Sequence, residues 1–459
     1  MAKEGKLQII KYAPPPPELP ILGKSNSAEV SYIGRTNYAA GLEEKKFIFG
    51  LKRIDRRHHL HIIGKGGVGK SKFLELLIRQ DIAAGKGVCV IDPHGDLTDA
   101  ILDFIPESRM KDVCFIDPSD VAYPLLFNPL VGTDKAFHHQ LAQGLIEVMK
   151  KQFIDAWTPR LEHIFRFTIF ALLDYPHPTM RGMISLLTDE EYRAKVIPYI
   201  EDEMIKRFWV TEFPEWAKKF DTEAIIPLVS KLSQFFSHPL LRSIFSQEEN
   251  KINLDVLVNE NAIILVNLAK GKIGEENSSF LGSLLLMRIR QVGMARATMP
   301  EWARKDFYIY IDEFQNFITE TFEQFLSEAR KYGLCLTVSH QYLGQLEERV
   351  QAALLASVGS LVVFRVGGED AETLEGEMTP IFKAKDMINL GLQEFYIKMT
   401  IDGETCDPFS ADTLKVLQPT HSSHREDIIK TSRARFATAI APHERKGIEE
   451  KIISPDTVV

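Results

Sequence analysis

The sequence predicts an α/β fold: a mostly parallel sheet covered by helices on both faces, with an all-α subdomain inserted into it. Three observations carry this. Short, continuously apolar, β-branched runs recur at helix-length intervals, the pattern of strands buried on both faces. A glycine-rich loop, Gly64–Ser71, closes the first of these runs and opens a helical segment. Between residues 134 and 255 the runs stop, and apolar residues recur at helical spacing instead.

Taken in order, Pro14–Pro17 read as a stiff polyproline spacer. Residues 29–58 mix short strand-like pieces with a basic cluster, Lys52, Arg53, Arg56 and Arg57. The strands then predicted are His59–Ile63, Gly87–Asp92, Val113–Asp117, Ala262–Leu268, Phe307–Asp312, Leu334–Ser339, Leu361–Val366 and Phe395–Met399. In the interruption, Leu141, Leu145 and Val148, and then Leu161, Ile164, Phe165, Ile169 and Leu172, mark helix faces. The expected organisation is an N-terminal segment with a Pro-rich linker (1–45), an α/β domain in two pieces (46–133 and 256–410), the helical insertion (134–255) and a C-terminal helical tail (411–459).

A chain of 459 residues, 45% hydrophobic, is long enough to bury large cores, and a net charge of −8 argues against a surface coated with basic groups. The four cysteines (Cys89, Cys114, Cys335, Cys406) lack C-x-x-C spacing and read as buried free thiols of a reducing compartment. The first residues carry charges and prolines where a signal peptide needs an apolar core. No stretch reaches about 18 uncharged apolar residues, so no transmembrane segment is expected.

Gly64-Lys65-Gly66-Gly67-Val68-Gly69-Lys70-Ser71 fits G-x-x-x-x-G-K-[S/T], with a strand before it and a helix after it. Such a loop turns backbone N–H groups onto phosphate oxygens, while Lys70 reaches the β/γ oxygens and Ser71 offers its hydroxyl to Mg²⁺. ATP with Mg²⁺ is therefore the expected ligand. Phe307–Ile311 runs into Asp312-Glu313, a hydrophobic strand ending in adjacent carboxylates. Asp312 suits the magnesium shell, and Glu313 suits the general base that polarises the attacking water.

Gln341, at the tip of the strand Leu334–Ser339, is either a γ-phosphate sensor or an ordinary strand-end amide. Arg330 is either a solvated helix-end cation or an arginine finger for a neighbour's ATP, and Arg365 is a candidate of the same kind. Asp92, His94 and Asp96 alternate in a Pro/Gly turn and mark an active-site edge rather than a metal site. His58, His59 and His61 read as solvent-facing or capping side chains rather than zinc ligands.

The motifs IDPHGDL, YIYIDEFQNF, LSEARKYGLCLTVSHQ and VVFRVG, in this order behind the P-loop, resemble those of the HerA/FtsK superfamily of P-loop ATPases. They are most similar to the TraD/TraG-like coupling proteins of conjugative type IV secretion. The resemblance spans residues 45–410. It implies a RecA-like core of the ASCE type, a homo-oligomer in the form of a hexameric ring, ATP at subunit interfaces, and ATP-driven translocation of single- or double-stranded DNA through a central pore. It further implies that Gln341 is the sensor, that Arg330 matches the trans-acting finger, and that residues 134–255 meet DNA, relaxosome or secretion-channel proteins. It places the protein in the cytoplasm or, through partners, at the periphery of the inner membrane. Two other readings compete. Lys65–Ser71 also fits the deviant P-loop of ParA/MinD-like partitioning ATPases, which has no use for Asp312–Glu313. A nucleotide-gated secretion or defence ATPase that does not act on DNA is the second.

Overall fold

The computed structural model describes residues 11–26, 28–38, 46–153, 157–220, 225–419 and 422–440. The expectations for residues 1–10 of the N-terminal segment and 441–459 of the tail lie outside the described residues. The strands are β1 (Val30–Thr36), β2 (Ile48–Lys52), β3 (Leu60–Ile63), β4 (Gly87–Asp92), β5 (Val113–Ile116), β6 (Ile263–Asn267), β7 (Phe307–Ile311), β8 (Leu334–His340), β9 (Ser360–Val363), β10 (Glu394–Lys398) and β11 (Phe409–Thr413). They form an 11-stranded sheet in the order β2-β1-β11-β10-β9-β3-β8-β7-β4-β6-β5. The helices used below are α1 (Lys70–Ala83), α2 (His138–Phe153), α3 (Pro159–Asp174), α4 (Ile226–Ser237), α5 (Glu275–Ala295), α6 (Phe322–Glu328), α7 (Gly368–Met378) and α8 (Arg425–Phe436).

Every residue of β3, β4, β7 and β8 is buried, which is why these runs are mainly apolar rather than alternating. They pair in parallel, with Ile63 opposite His340 and Ile311 opposite Val338. This register brings the carboxyl ends of β3, β7 and β8 side by side, where an open parallel sheet holds its ligands. The other flank, β9-β10-β11-β1-β2, is antiparallel. Its β1, β2 and β11 carry glycines and polar residues that hide them from a hydrophobicity pattern. Gly50 of β2 is required by its neighbour, because a Cβ there would lie 2.2 Å from the Ser31 carbonyl oxygen.

The chain divides into two units: Met1–Val113 with Val258–Leu265 and Arg296–Arg425, and Cys114–Leu257 with Val266–Ala295 and Glu426–Val459. Inside the first, the basic cluster read from the sequence is dispersed into specific pairs. Lys52 meets Asp402 at 2.5 Å and Arg57 meets Asp306 at 2.8 Å. Arg53 and Arg56 are buried, and both bind the fully buried Asp81 of α1. Arg56 also donates to the Tyr310 hydroxyl of β7 at 2.6 Å, and that hydroxyl donates to Asp81. One carboxylate thus balances two guanidinium groups and ties the helix behind the P-loop to the strand that carries Asp312. Asp81→Asn leaves two buried cations without a counter-charge, so a stability loss of about 3–5 kcal/mol is expected in urea unfolding. A loss below about 1 kcal/mol, the scale of an exposed pair, would show that the network is solvent-screened.

In the second unit, α3 starts on Thr158, whose hydroxyl accepts the Leu161 N–H, with Pro159 in the first turn. Its buried face includes Leu161, Ile164, Phe165, Ile169 and Leu172, and α2 buries Leu141, Leu145 and Val148. Helix α5 packs on α2, where Gly144 leaves room for Met287: a Cβ on Gly144 would come within 2.6 Å of the Met287 side chain. Phe235 of α4 stacks on Phe280 of α5 with ring centroids 4.2 Å apart. Among the described residues no helix is long and apolar enough to cross a membrane.

Candidate functional site

The loop after β3 takes its shape from its glycines. Gly67 and Gly69 have φ of 77° and 120°, a region that side-chain-bearing residues avoid. A Cβ on Gly64 would sit 2.6 Å from that of Phe364. Both neighbouring strand ends hold the loop. The Gly64 N–H donates to the His340 carbonyl (3.4 Å) and the Lys65 N–H to the Arg365 carbonyl (2.9 Å). From the far side, the Gln393 N–H donates to the Val68 carbonyl at 3.3 Å. Helix α1 then begins with Gly69 as its N-cap, so its free N–H groups and its dipole face into the loop.

Lys70, in the first turn, is buried, and its ammonium donates to the loop carbonyls of Gly64 (2.6 Å) and Lys65 (3.1 Å). Burial lowers its pKa, against the opposing pull of Glu313 and Asp312. Ser71 Oγ lies 3.3 Å from Asp312 Oδ2. The other Asp312 oxygen accepts from the Ser339 hydroxyl of β8. Burial raises the Asp312 pKa; the Ser339 hydrogen bond opposes this, while Glu313 and Asp92 add to it. A hydroxyl beside a carboxylate crowded by other acids is the hard-oxygen donor set that suits Mg²⁺, and a lysine under an inward-facing loop suits phosphate. The residues therefore fit both ligands.

Glu313 has a left-handed backbone, φ 47° and ψ 50°, a conformation that costs roughly 1–3 kcal/mol and recurs at functional sites. Its carboxylate lies between two amides: Gln341 Nε2 donates to Oε1 at 2.8 Å, and Gln315 Nε2 donates to Oε2 at 2.8 Å. The Gln341 backbone is itself held, because Gln345 Oε1 accepts the N–H groups of Gln341 (3.1 Å) and Tyr342 (3.2 Å). A Cβ on Gly66 would be 3.9 Å from Gln341 Oε1, so this side chain spans from the P-loop to Glu313. Lys65, Gly66, Gln341, Tyr342, Gly367 and Asp370 line a cleft of about 550 Å³.

Beneath the loop, His61 of β3 and His340 of β8 meet Nε2 to Nε2 at 2.7 Å. His340 Nδ1 is 3.1 Å from the Tyr342 carbonyl, which only accepts, so the proton sits on Nδ1 and His61 donates to His340 Nε2. Burial pushes the pKa of His340 down to about 3 and that of His61 well below its ordinary value, so both are neutral. His59 is also interior. Its Nδ1 accepts the Leu336 N–H (3.1 Å), and its Nε2 faces the Leu326 carbonyl (2.9 Å). Of the three histidines expected to face solvent or cap, His59 binds backbone groups just ahead of β3, as a cap does, and His58 is half-buried in the preceding 3₁₀ turn. Only His61 departs from the expectation, lying inside the sheet. Asp92 accepts the N–H groups of His94 (2.9 Å), Leu97 (2.9 Å) and Thr98 (3.0 Å), making it a turn and helix cap. Among the described residues no group of His, Cys, Asp and Glu is arranged to hold a metal by itself. Cys89, Cys114 and Cys335 are buried, Cys406 is half-buried, and none of the four is in a disulfide.

Lys70, Ser71, Asp312, Glu313 and Gln341 thus come together. Arg330 does not join them. It is exposed in the turn between α6 and β8, at the opposite end of β8 from Gln341. Seven strand residues separate the two ends by about 20 Å. Arg365 is half-buried beside the P-loop, through the Lys65 contact described above. Sequence reasoning passed over Ser339, Gln315 and Gln345. The first two stand within the quoted motifs, but an isolated Ser or Gln has no spacing that distinguishes a clamp from a surface residue.

Residues 53–289, over half of the chain, match the family described as the central domain of the helicase HerA. Residues 306–376 match the family described as the TraM recognition site of TraD and TraG. Among solved structures, the chain is similar to the bacterial conjugative coupling protein TrwBdeltaN70 in its unbound monoclinic form, with TM-score 0.59 and 15% identity over 81% of this chain and 88% of that one. It is similar to the plasmid coupling protein TrwB in complex with ADP and Mg²⁺, with TM-score 0.58 and 16% identity over 82% and 89%. It is also similar to VirB4 of Thermoanaerobacter pseudethanolicus, with TM-score 0.53 and 14% identity over 78% and 89%. At these identities the likeness is one of fold. None of the curated proteins it was compared with matches it.

Proposed function

The chain belongs to the family of the HerA helicase central domain, and from that premise we propose that it is an ATP-hydrolysing motor of the conjugative coupling type, moving DNA through the pore of a homo-hexameric ring. The observation that carries the reading is the meeting of the P-loop with Asp312 through Ser71, and of Glu313 with Gln341, at adjoining ends of three parallel strands. A coupling protein solved with ADP and Mg²⁺ shares the fold, and the match to the TraM recognition site of TraD and TraG agrees with a partner in the transfer machinery.

In this reading the N–H groups of residues 66–71 and the amino end of α1 receive the ATP phosphates, and Lys70 turns from its loop carbonyls to the β/γ oxygens. Ser71 and Asp312 hold Mg²⁺, which neutralises phosphate charge. Glu313 takes a proton from water as the water oxygen bonds to the γ-phosphorus and the bond from that phosphorus to the ADP oxygen breaks. Gln341, bonded to Glu313 at rest, exchanges that contact for the γ-phosphate and reports its presence. Arg330 lies too far from its own Gln341 to serve its own site, so it completes the site of the next subunit in the ring. Residues 134–255 meet the DNA or its protein partners.

The deciding experiment measures ATP turnover with and without single- and double-stranded DNA, alongside electron microscopy of the same samples. Several-fold stimulation by one of the two DNAs, together with rings, is expected. Flat turnover and no DNA retention would remove DNA as cargo and leave a protein-secreting motor as the better account.

A further inference from the structure

Gln315 lies two residues past Glu313, in a 3₁₀ turn that no phosphate-binding motif includes. Its amide is asymmetrically satisfied. Nε2 donates to Glu313 Oε2 at 2.8 Å, whereas Oε1 is buried and takes no hydrogen bond from the protein. The side-chain bond it makes goes to the Glu313 carboxylate. The two donors on Glu313 also differ in kind. Gln341 arrives from another strand and spans toward Gly66 of the P-loop, so a bound phosphate competes for it. Gln315 rides on the same turn as Glu313 and has no such competitor.

We propose that Gln315 is a positioning residue for the hydrolytic carboxylate. It is the fixed hold that keeps Glu313 oriented while Gln341 exchanges between the carboxylate and the γ-phosphate. When Gln341 exchanges to the γ-phosphate, Glu313 loses one of the two hydrogen bonds that orient its carboxylate at the moment of reaction. The Gln315 bond is the other. Because it is charge-assisted and local, it survives the exchange. Orientation of a reacting group affects the chemical step more than substrate binding, so its removal lowers kcat and spares KM.

This inference rests on Glu313 being the base, and the test separates the two. Gln315→Met keeps the length of the side chain and removes both polar ends. Gln315→Glu keeps the size, loses the donor and adds a like charge. Expected for Gln315→Met is a kcat reduced about tenfold with KM for ATP within about twofold of wild type. For Gln315→Glu the loss is larger, and both proteins keep the wild-type melting temperature. Glu313→Gln serves as the reference. If it abolishes turnover while Gln315→Met has wild-type kcat, the positioning role is overturned and the base assignment stands. If Glu313→Gln turns over normally, the base assignment has failed. A Gln315→Met protein altered in KM alone, or a Gln315→Glu protein as active as wild type, also overturns the positioning role. Should Gln315→Met unfold, Gln315→Glu decides.

Discussion

Replacing Glu313 by glutamine leaves ATP binding intact and lowers turnover by about 10²–10⁴-fold, the range a positioned general base contributes. The substitution keeps the shape of the side chain and one amide oxygen, so it preserves a contact with either Gln341 or Gln315. It removes the ability to take a proton. In the proposed site nucleotide affinity derives from the loop N–H groups, Lys70 and the amino end of α1, none of which the substitution touches. Lys70→Ala provides the contrast. It deletes a buried ammonium that bridges the Gly64 and Lys65 carbonyls, so binding and turnover fall together. Fluorescent-nucleotide titration with single-turnover hydrolysis resolves the two. A Glu313→Gln enzyme that hydrolyses at the wild-type rate would falsify the assignment of Glu313 as base.

The legible and illegible parts of this protein differ for a physical reason. Strands β3, β4, β7 and β8 are buried on both faces, so each is a mainly apolar run and the sequence marks it without help from neighbours. Strands β1, β2 and β11 are held by pairing. Gly34, Gly50 and Asp412 lie within them, so the sequence marks at most strand-like pieces around β1 and β2, and the ladders settle which residues pair. The same distinction divides the site. Gly64–Ser71 and Asp312–Glu313 act as consecutive residues, so a motif contains them. The clamp on Glu313 joins residues 28 apart in the chain, and the Ser339–Asp312 contact joins residues 27 apart. Such pairs exist only once the parallel register has set β7 beside β8. The interior position of His61, and the burial of His59 in its capping role, have a related cause. A histidine at a strand entrance looks solvent-exposed until the backbone groups it binds, Leu326 and Leu336 for His59, fold over it.

Arg330→Ala should abolish turnover in a ring made of that variant alone, and turnover should return when it is mixed with Lys70→Ala subunits. The argument is geometric. The proposed phosphate site is at the carboxyl end of β8, whereas Arg330 precedes its amino end, on the exposed surface. An arginine finger is worth about 10³–10⁵ in rate, so its loss from every site leaves almost nothing. In a mixed ring, a site is complete wherever an Arg330→Ala subunit, with its P-loop intact, is followed by a Lys70→Ala subunit, with its arginine intact. Random equal mixing in a head-to-tail ring gives that order at about a quarter of interfaces, so about a quarter of wild-type turnover per subunit is the expected ceiling. Arg365 supplies the control. It lies beside its own P-loop, with its carbonyl on the Lys65 N–H at 2.9 Å; a role in cis predicts that Arg365→Ala gains nothing from mixing with Lys70→Ala. Recovery for Arg330→Ala but not for Arg365→Ala identifies the finger; recovery for neither leaves Arg330 a solvated helix-end cation.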